Sequence, residues 1–296
     1  MSHFLAEPVV KKDSHDVSFL NMHIGKSSMQ GWRESMEDVD IIATPIDASM
    51  PDACCVAVFD GHGGATISSA ASALVKEKLV ASPEFRQHGN SPESLAVALC
   101  EAFIAADEEL KISPQFASTS DEIGSTGLFA IITKTHVIVA NVGDSRCFLS
   151  NTKDAMQLSV DHKPDLEFEK QRIIASGGTV FRGRVCGGVA VSRSFGDFWF
   201  KRNAALKPHQ QLVTAEPCIH IHQRQEIDEF LLLACDGIYD VMSNHQVRSF
   251  IRSKLKNGVT TPSQICEALV DECLAKGSRD NMSIVLVLFE GANKRR

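Results

Sequence analysis

Leu128-Phe129-Ala130-Ile131-Ile132-Thr133 is followed almost at once by His136-Val137-Ile138-Val139-Ala140-Asn141-Val142. Short apolar and β-branched runs of this length read as strands. With only Lys134-Thr135 between them, these two read as an adjacent pair. Further runs of the same kind are Cys54 to Phe59, Phe230 to Cys235 and Ser283 to Phe289. Helical spacing occupies other stretches. Ser91-Pro92 supplies an N-cap and a first helical residue, and Leu95, Leu99, Phe103, Ala106 and Leu110 follow. Thr261-Pro262 repeats that start, with Ile265, Leu269 and Cys273 after it and Gly277 as the stop. Ser243 and Gln246 form a capping box ahead of Val247, Phe250 and Ile251. Ala65 to Val80 and Asp165 to Ala175 are softer helices. Strands pair with strands and helices gather in groups. The pattern is therefore α+β, with antiparallel sheets and helices packed outside them, not a regular βαβ alternation.

The chain has 296 residues, 44% hydrophobic and 23% charged, enough to bury a sizeable core without disulfide staples. No linker, repeat or charge run divides it. Residues 1–22 are polar and weakly patterned and are expected to be a loose N-terminal arm; residues 23–296 are expected to be one domain. The net charge of −7 disfavours nucleic acid, because phosphate binding needs a basic face. The longest apolar run, Ala53 to Phe59, is far short of the roughly 20 residues of a membrane span, so no membrane partner is expected. Met1-Ser2-His3-Phe4 begins no signal peptide, and Ser2 stands where N-myristoylation requires Gly. Nine cysteines without a Cys-x-x-Cys pair, among them Cys54, Cys55, Cys100, Cys235 and Cys273, read as small core residues of a reducing compartment. Cytoplasm or nucleus is the expected location, and Lys294-Arg295-Arg296 is too short to decide between them.

Aspartates recur where strands run out. Cys55 to Phe59 ends in Asp60-Gly61-His62-Gly63-Gly64, and Leu231 to Cys235 ends in Asp236-Gly237. Asp280-Asn281 precedes Ser283 to Val287, and Val139 to Gly143 leads to Asp144. Any one Asp-Gly is more often simply a turn. Several such carboxylates converging would repel by about 1 kcal/mol per pair at 4 Å in water and about 4 at an effective dielectric near 20. Cations would have to sit between them, and oxygen-only donors suit Mg²⁺ or Mn²⁺ better than Zn²⁺.

A second constellation is Gly31-Trp32-Arg33-Glu34-Ser35-Met36-Glu37-Asp38. In an extended chain Arg33 and Glu37 share a face. Arg33 has the planar fork that fits phosphate, and Glu37 could add an oxygen to a metal; a surface ion-pair cluster is the plainer alternative. His62, pinned among glycines beside Asp60, is a candidate general acid. Other signals fall away. There is no P-loop, His-Glu-x-x-His or Gly-x-Ser-x-Gly. His220 and His222 alternate with Ile219 and Ile221, as on a strand with an outward His face. Cys218 and Arg224 match Cys-x5-Arg spacing, but that segment lacks glycine and alternates like a strand.

Taken in order, Ser28 to Asp38, Val58 to Gly64, Gly124-Ser125-Thr126, Ala140 to Arg146, Val191 to Asp197, Asp236-Gly237-Ile238-Tyr239-Asp240 and Ser278 to Ser283 resemble the type 2C, metal-dependent serine/threonine protein phosphatases. The resemblance covers Gly25 to Phe289. It implies a four-layer α-β-β-α sandwich of two antiparallel β-sheets flanked by helices. It also implies a hydrolase acting on phosphoserine and phosphothreonine in phosphoprotein substrates, by in-line attack of a water or hydroxide activated between two Mg²⁺ or Mn²⁺ ions. On the matching positions Asp60 would bridge the ions, Glu37 and the Gly61 carbonyl would hold one, and Asp236 and Asp280 the other. Asp144 matches a position that helps hold a weaker third metal. Arg33 matches the phosphate-binding arginine, Asp38 a carboxylate orienting water, and His62 the general acid. A monomer is expected. Tyr239 stands where Trp is usual, and Cys186 replaces a commonly polar residue in the flap Phe181 to Gly188, where Arg184 is a candidate substrate contact. A catalytically silent binding module and a hydrolase of other phosphoesters are the alternatives; intact carboxylates oppose the first and the acidic balance the second.

Overall fold

The computed structural model of the protein describes residues 4–88, 91–113, 116 and 122–290. Met1-Ser2-His3 and Lys294-Arg295-Arg296, on which targeting expectations rest, lie outside the described residues. The principal strands are β1 (Phe4–Phe19), β2 (Met22–Arg33), β3 (Val39–Ala43), β4 (Cys54–Phe59), β5 (Gly127–Ile132), β6 (His136–Val142), β7 (Arg146–Asn151), β8 (Ala155–Gln157), β9 (Cys218–Gln223), β10 (Asp228–Ala234) and β11 (Met282–Phe289). The helices are α1 (Thr66–Ala81), α2 (Pro83–His88), α3 (Pro92–Ile112), α4 (Glu167–Ala175), α5 (Asp236–Tyr239), α6 (Asn244–Lys256) and α7 (Pro262–Ala275). One sheet runs β1-β2-β11-β10-β7-β8 and the other β9-β6-β5-β4-β3, and every pairing in both is antiparallel.

Alternate residues of each strand serve different layers. Val56, Val58, Leu128 and Val139 of one sheet meet Leu231, Leu233, Val285 and Val287 of the other. The opposite faces look outward onto helices. Phe59, Phe129 and Ile138 pack under α1 and α3 through Val75, Leu99 and Phe103. Leu232, Ile284 and Leu286 pack under α6 and α7 through Ile251, Ile265 and Leu269. A strand apolar on both faces is buried on both faces, which is why these strands read as continuous apolar runs. The result is the α-β-β-α sandwich. Each such side chain contributes about 1.5–3 kcal/mol on burial, so the layers hold without cross-links. All nine cysteines are free thiols, with Cys54, Cys55, Cys235 and Cys273 buried and Cys100 half-buried. Among the described residues, no helix is long and apolar enough to cross a membrane.

The signals at Ser91, Ser243 and Gly277 act as read, whereas Thr261 makes no side-chain cap bond and the helix read from Asp165 starts at Glu167. The Ser91 side chain accepts from Ser94 N, and Ser243 and Gln246 make the reciprocal capping box. Gly277 closes α7 at φ +94°. Cys218–Gln223 is a strand, but of its two histidines only His220 is exposed; His222 is buried and bonded to Asp228 at 2.9 Å, while Ile221 is 38% exposed.

The expectation of a loose arm over residues 1–22 is corrected. Phe4–Phe19 is a strand that pairs with β2, in unbroken register from Lys12 to Phe19. Its Val17 and Phe19 pack against the filling between the sheets. Lys12 pairs with Asp271 of α7 at 2.7 Å. The Asp16 carboxylate accepts from Ser263 N at 2.8 Å and from the Ser263 hydroxyl, so it caps α7, whose own Thr261 makes no side-chain cap bond. Gly25 leaves the room for this, since a Cβ there would stand 2.4 Å from Ser263 N and 2.5 Å from Asp16 Oδ1. An edge strand with one wet face alternates weakly, and a cap supplied from 247 residues away leaves no local signature. Asp16→Ala is expected to lower unfolding free energy by about 1 kcal/mol, the usual loss of an N-cap, read from the urea midpoint. An unchanged midpoint would mean that the cap carries no stability.

Candidate metal centre

Both sheets end at one rim, and the acidic residues stand there. Glu37 and Asp38 lie between β2 and β3, Asp60 follows β4, and Asp144 lies between β6 and β7. Asp236 opens α5 directly after β10, and Asp280 precedes β11. Glu37, Asp60, Asp144, Asp236 and Asp280 line one cleft of about 680 Å³, together with Arg33 and His62. Asp38 is buried beside it, with a carboxylate oxygen within 4.8 Å of one on Asp60. The structure thus brings together all the site residues named from sequence.

Side chain to backbone bonds fix the rim. Asn281 donates from Nδ2 to Gln30 O at 2.8 Å and Ser35 O at 3.0 Å, and its Oδ1 accepts from Glu37 N at 2.9 Å. One amide therefore ties the Arg33–Glu37 segment to the start of β11. Ser68 of α1 donates to Glu37 O at 2.6 Å. Thr126 Oγ1 accepts from Asp60 N at 3.1 Å, and Thr126 N donates to Asp60 O at 2.8 Å. A Cβ on Gly61 would lie 2.5 Å from Glu37 O, and one on Gly237 2.2 Å from Asn281 O. These glycines let the rim segments pack backbone against backbone. The segment after Arg33 is not extended, so the expected shared face of Arg33 and Glu37 does not form. Arg33 instead donates to Asp280 Oδ2 at 2.6 Å, while the Glu37 carboxylate accepts from Ser35 Oγ at 2.7 Å and Gly64 N at 3.1 Å.

The electrostatics are those of crowded anions. Burial, then the charges of Asp38, Asp236, Asp144 and Asp280, push the Asp60 carboxyl well above its ordinary range. Burial, then Asp144 and Asp280, does the same to Asp236. Burial, aided by Asp280, pushes Asp38 up to about 7. Neither Asp38 oxygen has a hydrogen-bond partner. Buried, unpartnered carboxylate oxygens facing like charges fit a divalent cation with oxygen ligands. Cys235 is near Asp38 and Asp60, but burial and those anions keep it a thiol, and it donates to Asn281 O at 3.4 Å. Lys163, half exposed, pairs with the buried Asp144.

His62 Nε2 faces both carboxylate oxygens of Asp197, at 3.0 and 2.9 Å. Burial alone would lower its pKa; Asp197 overcomes that and raises it. Arg184 also lines the cleft, from the short hairpin Val180–Phe181 with Arg184–Val185, where its Nη1 donates to Gly188 O at 2.6 Å.

The sequence pattern of the family described as Protein phosphatase 2C matches residues 22–282. The chain belongs to the protein phosphatase 2C family. It is 39% identical to Protein phosphatase ppm-1.A of Caenorhabditis elegans, with 99% of this chain aligned; it spans 64% of that relative's length. It is 36% identical to Protein phosphatase 1A of Mus musculus, covering 99% of this chain and 78% of that one. A solved phosphatase structure from Toxoplasma gondii superposes with a TM-score of 0.81 at 26% identity, over 95% of this chain and 96% of that one.

Within this protein phosphatase 2C chain, Tyr239 keeps a defined place. Its ring lies 4.4 Å from the Arg146 guanidinium and its hydroxyl donates to Arg146 O at 3.3 Å. Asp197, Asn281, Ser68 and Lys163 are site residues to which sequence reading gave no role. Asn281 and Asp197 sit inside quoted motifs, and the need of the half-buried His62 for an N–H acceptor is the one signal for Asp197.

Raised carboxyl pKa values mean that the metal-free fold binds protons that the unfolded chain releases from about 4 upward. Stability of the metal-free protein is therefore fully present below that pH and lost as pH rises through about 7 for Asp38. In EDTA, Tm is expected to fall between about pH 5 and about pH 8, and Mg²⁺ or Mn²⁺ should restore it most at the higher pH. A metal-free Tm that rises over that interval would contradict the crowded-anion description.

Proposed function

We propose that the chain is a metal-dependent protein serine/threonine phosphatase, a phosphoric monoester hydrolase acting on phosphoserine and phosphothreonine in phosphoproteins. The observation that carries this reading is the convergence of Asp60, Asp144, Asp236 and Asp280 in one cleft with Asp38 buried beside it, a crowding that raises the proton affinity of Asp38, Asp60 and Asp236. Family membership supports the same reading. Glu37, Asp60 and the Gly61 carbonyl would hold one ion, and Asp60, Asp236 and Asp280 a second; Mg²⁺ or Mn²⁺ suits such donors. An additional ion at Asp144 must displace Lys163, which already neutralises that carboxylate. When bound, the ions supply Lewis acidity, neutralising phosphoryl charge and acidifying water.

The chain's own groups do the rest. Arg33 is 40% exposed at the cleft and offers its remaining guanidinium donors to phosphoryl oxygens, while Asp280 fixes its orientation. Asp38, with two unpartnered oxygens, orients the attacking water. His62 protonates the departing serine or threonine oxygen, the step for which a poor leaving group most needs help. No covalent phosphoenzyme is required, and the Cys218 to Gln223 segment is a strand rather than an anion-binding loop.

Hydrolysis of a phosphothreonine peptide with Mn²⁺ tests the proposal. Activity should vanish in EDTA and return on adding metal. Asp60→Asn should lose more than about 100-fold, because residues that merely support metal ligands already cost 10–100-fold. Full turnover in EDTA or by Asp60→Asn would exclude the mechanism.

A further inference from the structure

The atom of His62 that the fold grips is Nε2, and the grip is elaborate. Three short strands, Phe195–Gly196, Gly124–Ser125 and Gly61–His62, form a patch of their own with Gly124–Ser125 in the middle. Asp197 follows directly and is 1% exposed. Its Oδ2 accepts from Ser194 Oγ at 2.5 Å, and its backbone N donates to Ile123 O at 2.9 Å. Its φ is +50°, in the left-handed region. For a residue other than glycine, that conformation is strained and persists where surroundings over-determine it. At Gly124 a Cβ would stand 2.4 Å from Asp197 Oδ2 and 2.5 Å from His62 Nε2, so only glycine admits the pair. The histidine itself remains 35% exposed on the cleft.

We propose that Asp197 is a positioning residue for the phosphatase reaction: it holds the Nε2–H of His62 and thereby presents Nδ1 as the atom that delivers the proton. The inference rests on the reading of His62 as the general acid. An ionised carboxylate only accepts, so Nε2 must carry hydrogen. As the phosphorus–oxygen bond breaks, its electron pair goes to the serine or threonine oxygen. That oxygen takes the Nδ1 proton, and the ring is left neutral with its Nε2–H still on Asp197. Asp197 gains no proton. Without the carboxylate, the broad ring torsion of histidine is free to turn Nδ1 away.

The experiment compares a phosphothreonine peptide with p-nitrophenyl phosphate, whose leaving group needs little protonation. In the Mn²⁺ enzyme, His62→Gln should lose about 100-fold or more in kcat on the peptide, and Asp197→Asn about tenfold or more. Both should change little on the aryl ester, with KM near wild type on both substrates. In the His62→Gln background, Asp197→Asn should cost almost nothing further. Equal losses by Asp197→Asn on both substrates, or a full extra loss in the double variant, would overturn the proposal and leave His62's role standing. Equal losses by His62→Gln on both substrates would overturn the acid role and this inference together. Should Asp197→Asn fail to fold, the wild-type Mg²⁺ protein decides through its ¹⁵N-histidine spectrum. The His62 signal, assigned by its loss in His62→Gln, should show the neutral ring protonated at Nε2; protonation at Nδ1 would overturn the proposal.

Discussion

Like charges crowded where water is scarce set the terms for this molecule. At about 4 Å each pair of carboxylates costs roughly 1 kcal/mol in water but about 4 kcal/mol at an effective dielectric near 20. Asp38, Asp60 and Asp236 stand in the second situation, with burial as the leading cause of their raised proton affinity. Such a group survives only because stability comes from elsewhere. Three apolar layers, one between the sheets and one under each pair of helices, absorb the strain, and strand ends keep the anions from relaxing apart.

The repulsion is not relieved evenly. For two of the carboxylates the chain supplies its own cations, Arg33 to Asp280 and Lys163 to Asp144. Asp38 has no such partner, and its oxygens accept nothing from the protein. Asp38 is therefore the carboxylate whose charge the protein itself relieves least.

Much of this was legible because the two main signals are local. A continuous apolar run such as Cys54 to Phe59 reports burial on both faces, and an aspartate at its end reports a rim. The motif order then identified the family. What escaped is made by distant partners. Asp197 owes its role to His62, 135 residues away, and to a left-handed backbone that no residue type announces. Asn281 reads as a neighbour of Asp280, yet its work is to join two segments near residue 30 to a strand near residue 280. The first strand escaped because its order comes from α7 and β2 and not from its own composition. Arg33 and Glu37 reached the same cleft by a loop, not by the strand periodicity that suggested it.

Asp60 belongs to one sheet, while Asp236 and Asp280 belong to the other. The gap between them is thus set by the thickness of the slab that Val56, Val58, Leu231, Leu233, Val285 and Val287 build between the sheets. That slab works as a calibrated shim. A methyl group added or shaved in mid-sandwich, remote from any ligand, would reset the bite of the opposing acids, so selection on ion preference can be exercised through residues that never touch an ion.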